Sequence, residues 1–86
     1  MPENNVSKVI SMVAKISGKK NIKHDTRLLD SGVLDSLLTM KLIETIEKNF
    51  SISIPTSEFT HFNFNTVNAI SGMIERIVSG KNKKKK

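Results

Sequence analysis

A chain of 86 residues without cysteine has room for one modest core and can form neither disulfides nor thiolate metal sites. Its 37% hydrophobic and 26% charged residues are a globular balance, no apolar run is long enough to span a bilayer, and MPENNVSKVI lacks the order of a secretory signal, so a cytoplasmic protein is expected. The formal charge of +6 is mostly terminal: residues 81–86 hold five of the fourteen basic residues and no acid, leaving nine basic against eight acidic in the body.

Val6, Val9, Ile10, Val13 and Ile16 recur at helical spacing, which predicts a first helix over about 4–17 with Gly18 as its C-cap. From Gly18 to Leu34 the periodicity is lost and Lys19, Lys20, Lys23, His24 and Asp25 keep the chain wet. This segment reads as a long loop with Ile22, Leu28, Leu29, Val33 and Leu34 as apolar anchors. A second helix follows, with Leu38, Leu42, Ile43, Ile46 and Phe50 on one stripe, Leu37 and Met40 widening it, and Lys41, Glu44, Glu47 and Lys48 on the wet side. Asp35 is its N-cap, which leaves Ser36 in the first turn with an exposed hydroxyl. The earlier Asp30-Ser31-Gly32 is turn chemistry, because no helical pattern begins there.

Beyond Phe50, Ile52-Ser53-Ile54 alternates as a strand would, but Pro55 follows and no partner strand exists. Residues 55–60 are expected to form a short third helix with Pro55 in its first turn and Phe59 facing inward. Phe62, Phe64 and Asn65 make a turn into a fourth helix over about 66–78. Asn65 or Thr66 caps it, Val67, Ile70, Met73, Ile74 and Ile77 point inward, and Gly80 ends it. The expected fold is all-α: a small four-helix bundle of three main helices and one short one, with a long loop between helices one and two. Residues 1–80 form the domain, and 81–86 are a lysine-rich tail expected to be disordered by self-repulsion.

Catalysis by the chain itself is not expected. His24 and His61 are the only histidines, and neither stands in a ligand spacing or beside an evident nucleophile, so no catalytic residue and no metal site are assigned. Ser36 lacks the Gly-x-Ser-x-Gly setting of a nucleophile elbow. A serine at a helix start does suit a phosphate, which meets the positive end of the dipole and free N–H groups there. The plainer reading of Asp35-Ser36 is a cap alone.

From about Thr26 to Ile77 the chain resembles the acyl carrier protein family. The landmarks are Leu28-Leu29 with Gly32, then Asp35-Ser36-Leu37, a helix ending in EKNF, Ile52-Ser53-Ile54-Pro55, and Asn65-Thr66-Val67. The run IPTSEFTHFNFNTVNAI is similar to stand-alone D-alanyl carriers, in which a proline, a Ser-Glu-Phe and an Asn-Thr recur in that order. The resemblance implies a phosphopantetheine arm on Ser36, transferred from coenzyme A by a phosphopantetheinyl transferase that recognises Asp35. Cargo is then held as a thioester. Leu37 and Met40 are implied partner contacts, and Glu44 and Glu47 an acidic face. An adenylating ligase or acyltransferase would load a monomeric carrier, and a downstream acyl-accepting enzyme would unload it. An amino acid such as D-alanine and a fatty or polyketide acyl chain are both open as cargo. In many members an acidic residue stands where this chain has Lys41, and the nearly neutral body departs from a usually acidic family. The alternative is a non-covalent helical module whose basic tail docks on nucleic acid or anionic membrane. Without aromatic interleaving, the tail gives no expectation of nucleic acid.

Overall fold

The computed structural model describes residues 5–84, with side chains as far as Gly80. Four helices form: α1 (Asn5–Ser17), α2 (Ser36–Phe50), α3 (His61–Phe64) and α4 (Val67–Lys84), with a 3-10 turn at Thr56–Glu58. No strand occurs among the described residues. Helix α1 packs on both α2 and α4, and α3 packs on α4. The apolar stripes explain the arrangement. Val9 and Val13 of α1, Leu42, Ile43 and Ile46 of α2, and Val67, Ile70, Met73 and Ile74 of α4 are buried in a single core. Ile16, Leu29 and Leu38 pack at its edge, half-buried.

Helix α1 stops where expected. Gly18 takes a left-handed φ of 73° and donates its N–H to the Ala14 carbonyl at 2.8 Å, a conformation that costs glycine little. The long loop then gains order from both its side chains and its backbone. Ile22, Leu28 and Leu34 are buried. The Leu28 N–H donates to the Asn65 carbonyl at 2.6 Å, and the Asn68 N–H donates to the His24 carbonyl at 3.0 Å. The loop is therefore stapled to the start of α4, and the His24 ring, exposed as expected, also meets the Asn68 amide at 2.9 Å.

The short helix expected over 55–60 is reduced to the 3-10 turn at Thr56–Glu58, and the short α-helix comes after it, at His61–Phe64. Thr60 is extended (φ −122°, ψ 157°) and its hydroxyl accepts from the Asn63 N–H at 3.2 Å, so Thr60 caps α3 and divides the segment. Pro55 only precedes the 3-10 turn. Phe64 takes the core position expected of Phe59, which is 39% exposed and meets the Phe64 ring edge-on at 6.4 Å between centroids. Thr66 caps α4 by accepting from the Ala69 N–H at 3.0 Å. Gly80 does not end α4, which runs on to Lys84; a stop there would need the left-handed φ that Gly80 lacks. The backbone of residues 81–84 is thus helical, and Lys85 and Lys86 lie outside the described residues. In the segment from Ile52 to Ile54, which lacks a partner strand, two N–H groups are taken up by one residue. Glu47 accepts from the Ile52 N–H through its carbonyl (3.2 Å) and from the Ile54 N–H through its carboxylate (2.8 Å).

Candidate functional site

The site is built at the start of α2. Gly32, at φ 85°, turns the chain; a Cβ there would meet no atom within 4 Å, so backbone conformation and not space asks for glycine. The turn closes through Leu34 N–H to the Leu28 carbonyl at 2.9 Å, with both leucines buried beneath it. Asp35 emerges extended at the surface, and its Oδ1 accepts from the Leu38 N–H at 2.8 Å while its carbonyl accepts from Thr39. Ser36 is the first helical residue and is exposed. Ser31 stays in the preceding turn, its N–H bound to the Arg27 carbonyl at 3.0 Å.

A cleft of about 720 Å³ opens beside Ser36, between the start of α2, the loop before it and the segment running into α3. Its walls are mostly apolar, from Leu29, Leu34, Met40, Ile43, Phe59 and Phe64, with Thr39, Thr60 and His61 as polar members. The Thr39 hydroxyl oxygen is buried and has no hydrogen-bond partner. An open hydroxyl at a helix start, with first-turn N–H groups that lack intrahelical acceptors, suits a phosphodiester. The adjoining cleft, with one unpaired hydroxyl among apolar walls, suits a slender arm bearing amides. The residues present therefore fit phosphopantetheine.

Two residues outside the motif hold the cleft wall. Asn65 Oδ1 accepts from the Leu29 and Asp30 N–H groups at 3.0 and 3.2 Å, and its Nδ2 donates to Asp30 Oδ2 at 3.1 Å. His61 Nε2 meets Asp30 Oδ1 at 2.8 Å. The His61 contact first, then that of Asn65, holds the Asp30 carboxyl below the ordinary carboxylate range. Across the same region Glu58 binds Arg76 (2.8 Å) and Asn63 (2.9 Å), so the Ser57-Glu58-Phe59 run ties α3 to α4. Neither clasp was visible in local pattern, although Thr60 ahead of Asn63 is a cap signal.

Of the side chains singled out as partner contacts, Leu37 is 64% and Met40 52% exposed, and Glu44 is exposed. Glu47 is half-buried, with its carboxylate engaged on Ile54. Among the described residues no group of three or more His, Asp or Glu side chains could hold a metal ion, and no helix is long and apolar enough to cross a membrane.

A family profile described as a phosphopantetheine attachment site matches residues 7–74. The D-alanyl carrier protein of Streptococcus suis is 48% identical over 52 residues, which cover 59% of this chain and 66% of that protein. That of Streptococcus equi subsp. zooepidemicus is 49% identical over 53 residues, 62% of this chain and 67% of that protein. A more distant match, the D-alanyl carrier protein of Lactobacillus delbrueckii subsp. bulgaricus, is 27% identical over 70 residues, 80% and 88% of the two chains. The chain thus spans about two thirds of the length of its streptococcal relatives.

Proposed function

Because the chain belongs to the phosphopantetheine attachment-site family, we propose that it is a stand-alone carrier whose Ser36 bears the arm and whose residues 1–80 form the carrier unit. The observation that carries this reading is the exposed Ser36 hydroxyl at the first position of α2, directly behind a capping aspartate. When bound, the arm supplies the thiol that this cysteine-free chain lacks, and cargo rides on it as a thioester. The chain's own residues hold and present it. Asp35 fixes the end of the helix with one carboxylate oxygen, which leaves the other for a transferase to read. The helix dipole and free first-turn N–H groups favour the negative charge of a phosphodiester on Ser36 Oγ. Leu29, Met40, Ile43 and Phe59 line apolar walls beside it.

No catalytic group belongs to the chain in this reading. A phosphopantetheinyl transferase installs the arm, an adenylating ligase or acyltransferase loads it, and an acceptor enzyme unloads it, in the cytoplasm and on a carrier monomer. The names of its relatives favour an aminoacyl cargo, with D-alanine the first to test. The test is the intact mass of wild type and Ser36→Ala before and after incubation with coenzyme A and a broad-specificity transferase. Wild type alone should gain one phosphopantetheine. Failure of the folded wild type to gain it, or equal gain by Ser36→Ala, refutes the assignment.

A further inference from the structure

We propose that residues 81–86 hold the protein on an anionic lipid surface, with Ser36 at the opposite end of the bundle and so turned away from the lipid. The carrier reading leaves these residues without a role. Five of the six are lysine, against a net charge of +1 over residues 1–80, where nine basic residues meet eight acidic ones. The end of the bundle from which they emerge is otherwise near balance: Lys8, over the Phe50 ring at 5.6 Å, and Lys48, in the last turn of α2, offset the charges of Glu44 and Glu47. The lysine run therefore sets the sign of that end.

Helices α2 and α4 run the same way. At the start of α2, Asp35 and Ser36 share a cleft with Thr60, His61 and Phe64, which lead into α4; at its end, Glu47, Ser51 and Ile52 share another with Ile77 and Gly80. Residue 81 thus leaves beside the end of α2, and the 15 residues of that helix put Ser36 about 20 Å away along its axis. The backbone stays helical through residue 84, so the first lysines are carried by α4 itself. Asp30 and Asp35 stand at the Ser36 end, with Arg27 offsetting one of them, and their charge disfavours approach of that end to an anionic surface. What the run lacks decides the kind of surface. No aromatic residue follows Phe64, and no arginine follows Arg76, which is bound to Glu58, so the run offers neither base stacking nor bidentate phosphate recognition. It has no apolar residue to fill a pocket on a protein. Bare lysines, acting as point charges, match the diffuse field of anionic headgroups, and that field also offsets the repulsion among them.

The experiment is flotation of the full chain with phosphatidylcholine vesicles, with and without phosphatidylglycerol, at about 100 mM and about 500 mM salt. Wild type is compared with a variant in which Lys81, Lys83, Lys84, Lys85 and Lys86 are all replaced by glutamine, first shown folded by circular dichroism. Wild type should float with the anionic vesicles alone and release them at the higher salt. Each lysine near such a surface adds about fivefold, so the variant should bind at least about a hundredfold more weakly. Wild type that does not float, binding equal in the variant, or binding indifferent to lipid charge overturns the anchor, as does wild type retained by duplex DNA and not by vesicles. Because the chain has no cysteine, a single fluorophore can be placed at Gly80→Cys, where a Cβ meets no atom within 4 Å, or at Ser36→Cys. A quencher on the lipid headgroups should dim the first strongly and the second little; equal dimming overturns the orientation. Attachment of the arm to Ser36 is read by mass in solution, so it succeeds or fails separately from both results.

Discussion

Asp35 and Ser36 divide the start of α2 between them: the carboxylate closes the helix end, and the hydroxyl stays outside the packing. Substituting Asp35 by alanine should cost about 1 kcal/mol in urea denaturation, because the Leu38 N–H loses its acceptor, whereas asparagine should retain most of the cap. Ser36→Ala should lie within about 0.5 kcal/mol of wild type. The phenylalanines offer a sharper contrast. Phe64 is fully buried and Phe62 is 78% exposed, so Phe64→Ala should cost about 3–5 kcal/mol, much of the stability of so small a domain, and Phe62→Ala under about 0.5 kcal/mol. The serine was legible in the sequence because cap and helical period are both local signals. The exchange of Phe59 for Phe64 was not, because the Thr60 cap restarts the helix and thereby decides which ring points inward.

Among the elements, the long loop depends most on distant residues. Asn65 satisfies two of its N–H groups and one carboxylate oxygen, so Asn65→Ala should destabilise the fold by about 1–3 kcal/mol and speed amide exchange at Leu29 and Asp30 beyond other loop positions. The partners lie 35 and 36 residues apart, which no local pattern reveals. Asp30 adds a dependence on pH. Its carboxyl is depressed in the fold by His61, Asn65 and, more weakly, Arg27, so its contribution is whole above the unfolded value of about 3.9 and is lost as pH falls through the lower folded value. Carboxyl titration by NMR should show Asp30 moving back upward in His61→Ala, and Asp30→Asn should flatten the acid limb of the stability curve. Both side chains are about half exposed, so solvent screening keeps the effect small.

For the whole molecule, the three long helices were legible because each repeats its apolar period over several turns; α3, with four residues, is too short to show one. Glycine at position 80 read as a stop, yet a helix can carry glycine for about 1 kcal/mol, and the backbone runs through it. If the carrier unit ends at residue 80, deleting 81–86 should shift the melting midpoint by no more than about 4 °C by circular dichroism, while the formal charge drops from +6 to +1. The clasp beside Ser36 also carries a lesson about descent. Asp30 takes contacts from His61 and Asn65 at once, and replacing it alone removes the acceptor of the His61 ring and of the Asn65 Nδ2. Across related sequences, positions 30, 61 and 65 should therefore drift as a set, and a change at one of them should mark lineages in which the others have changed too.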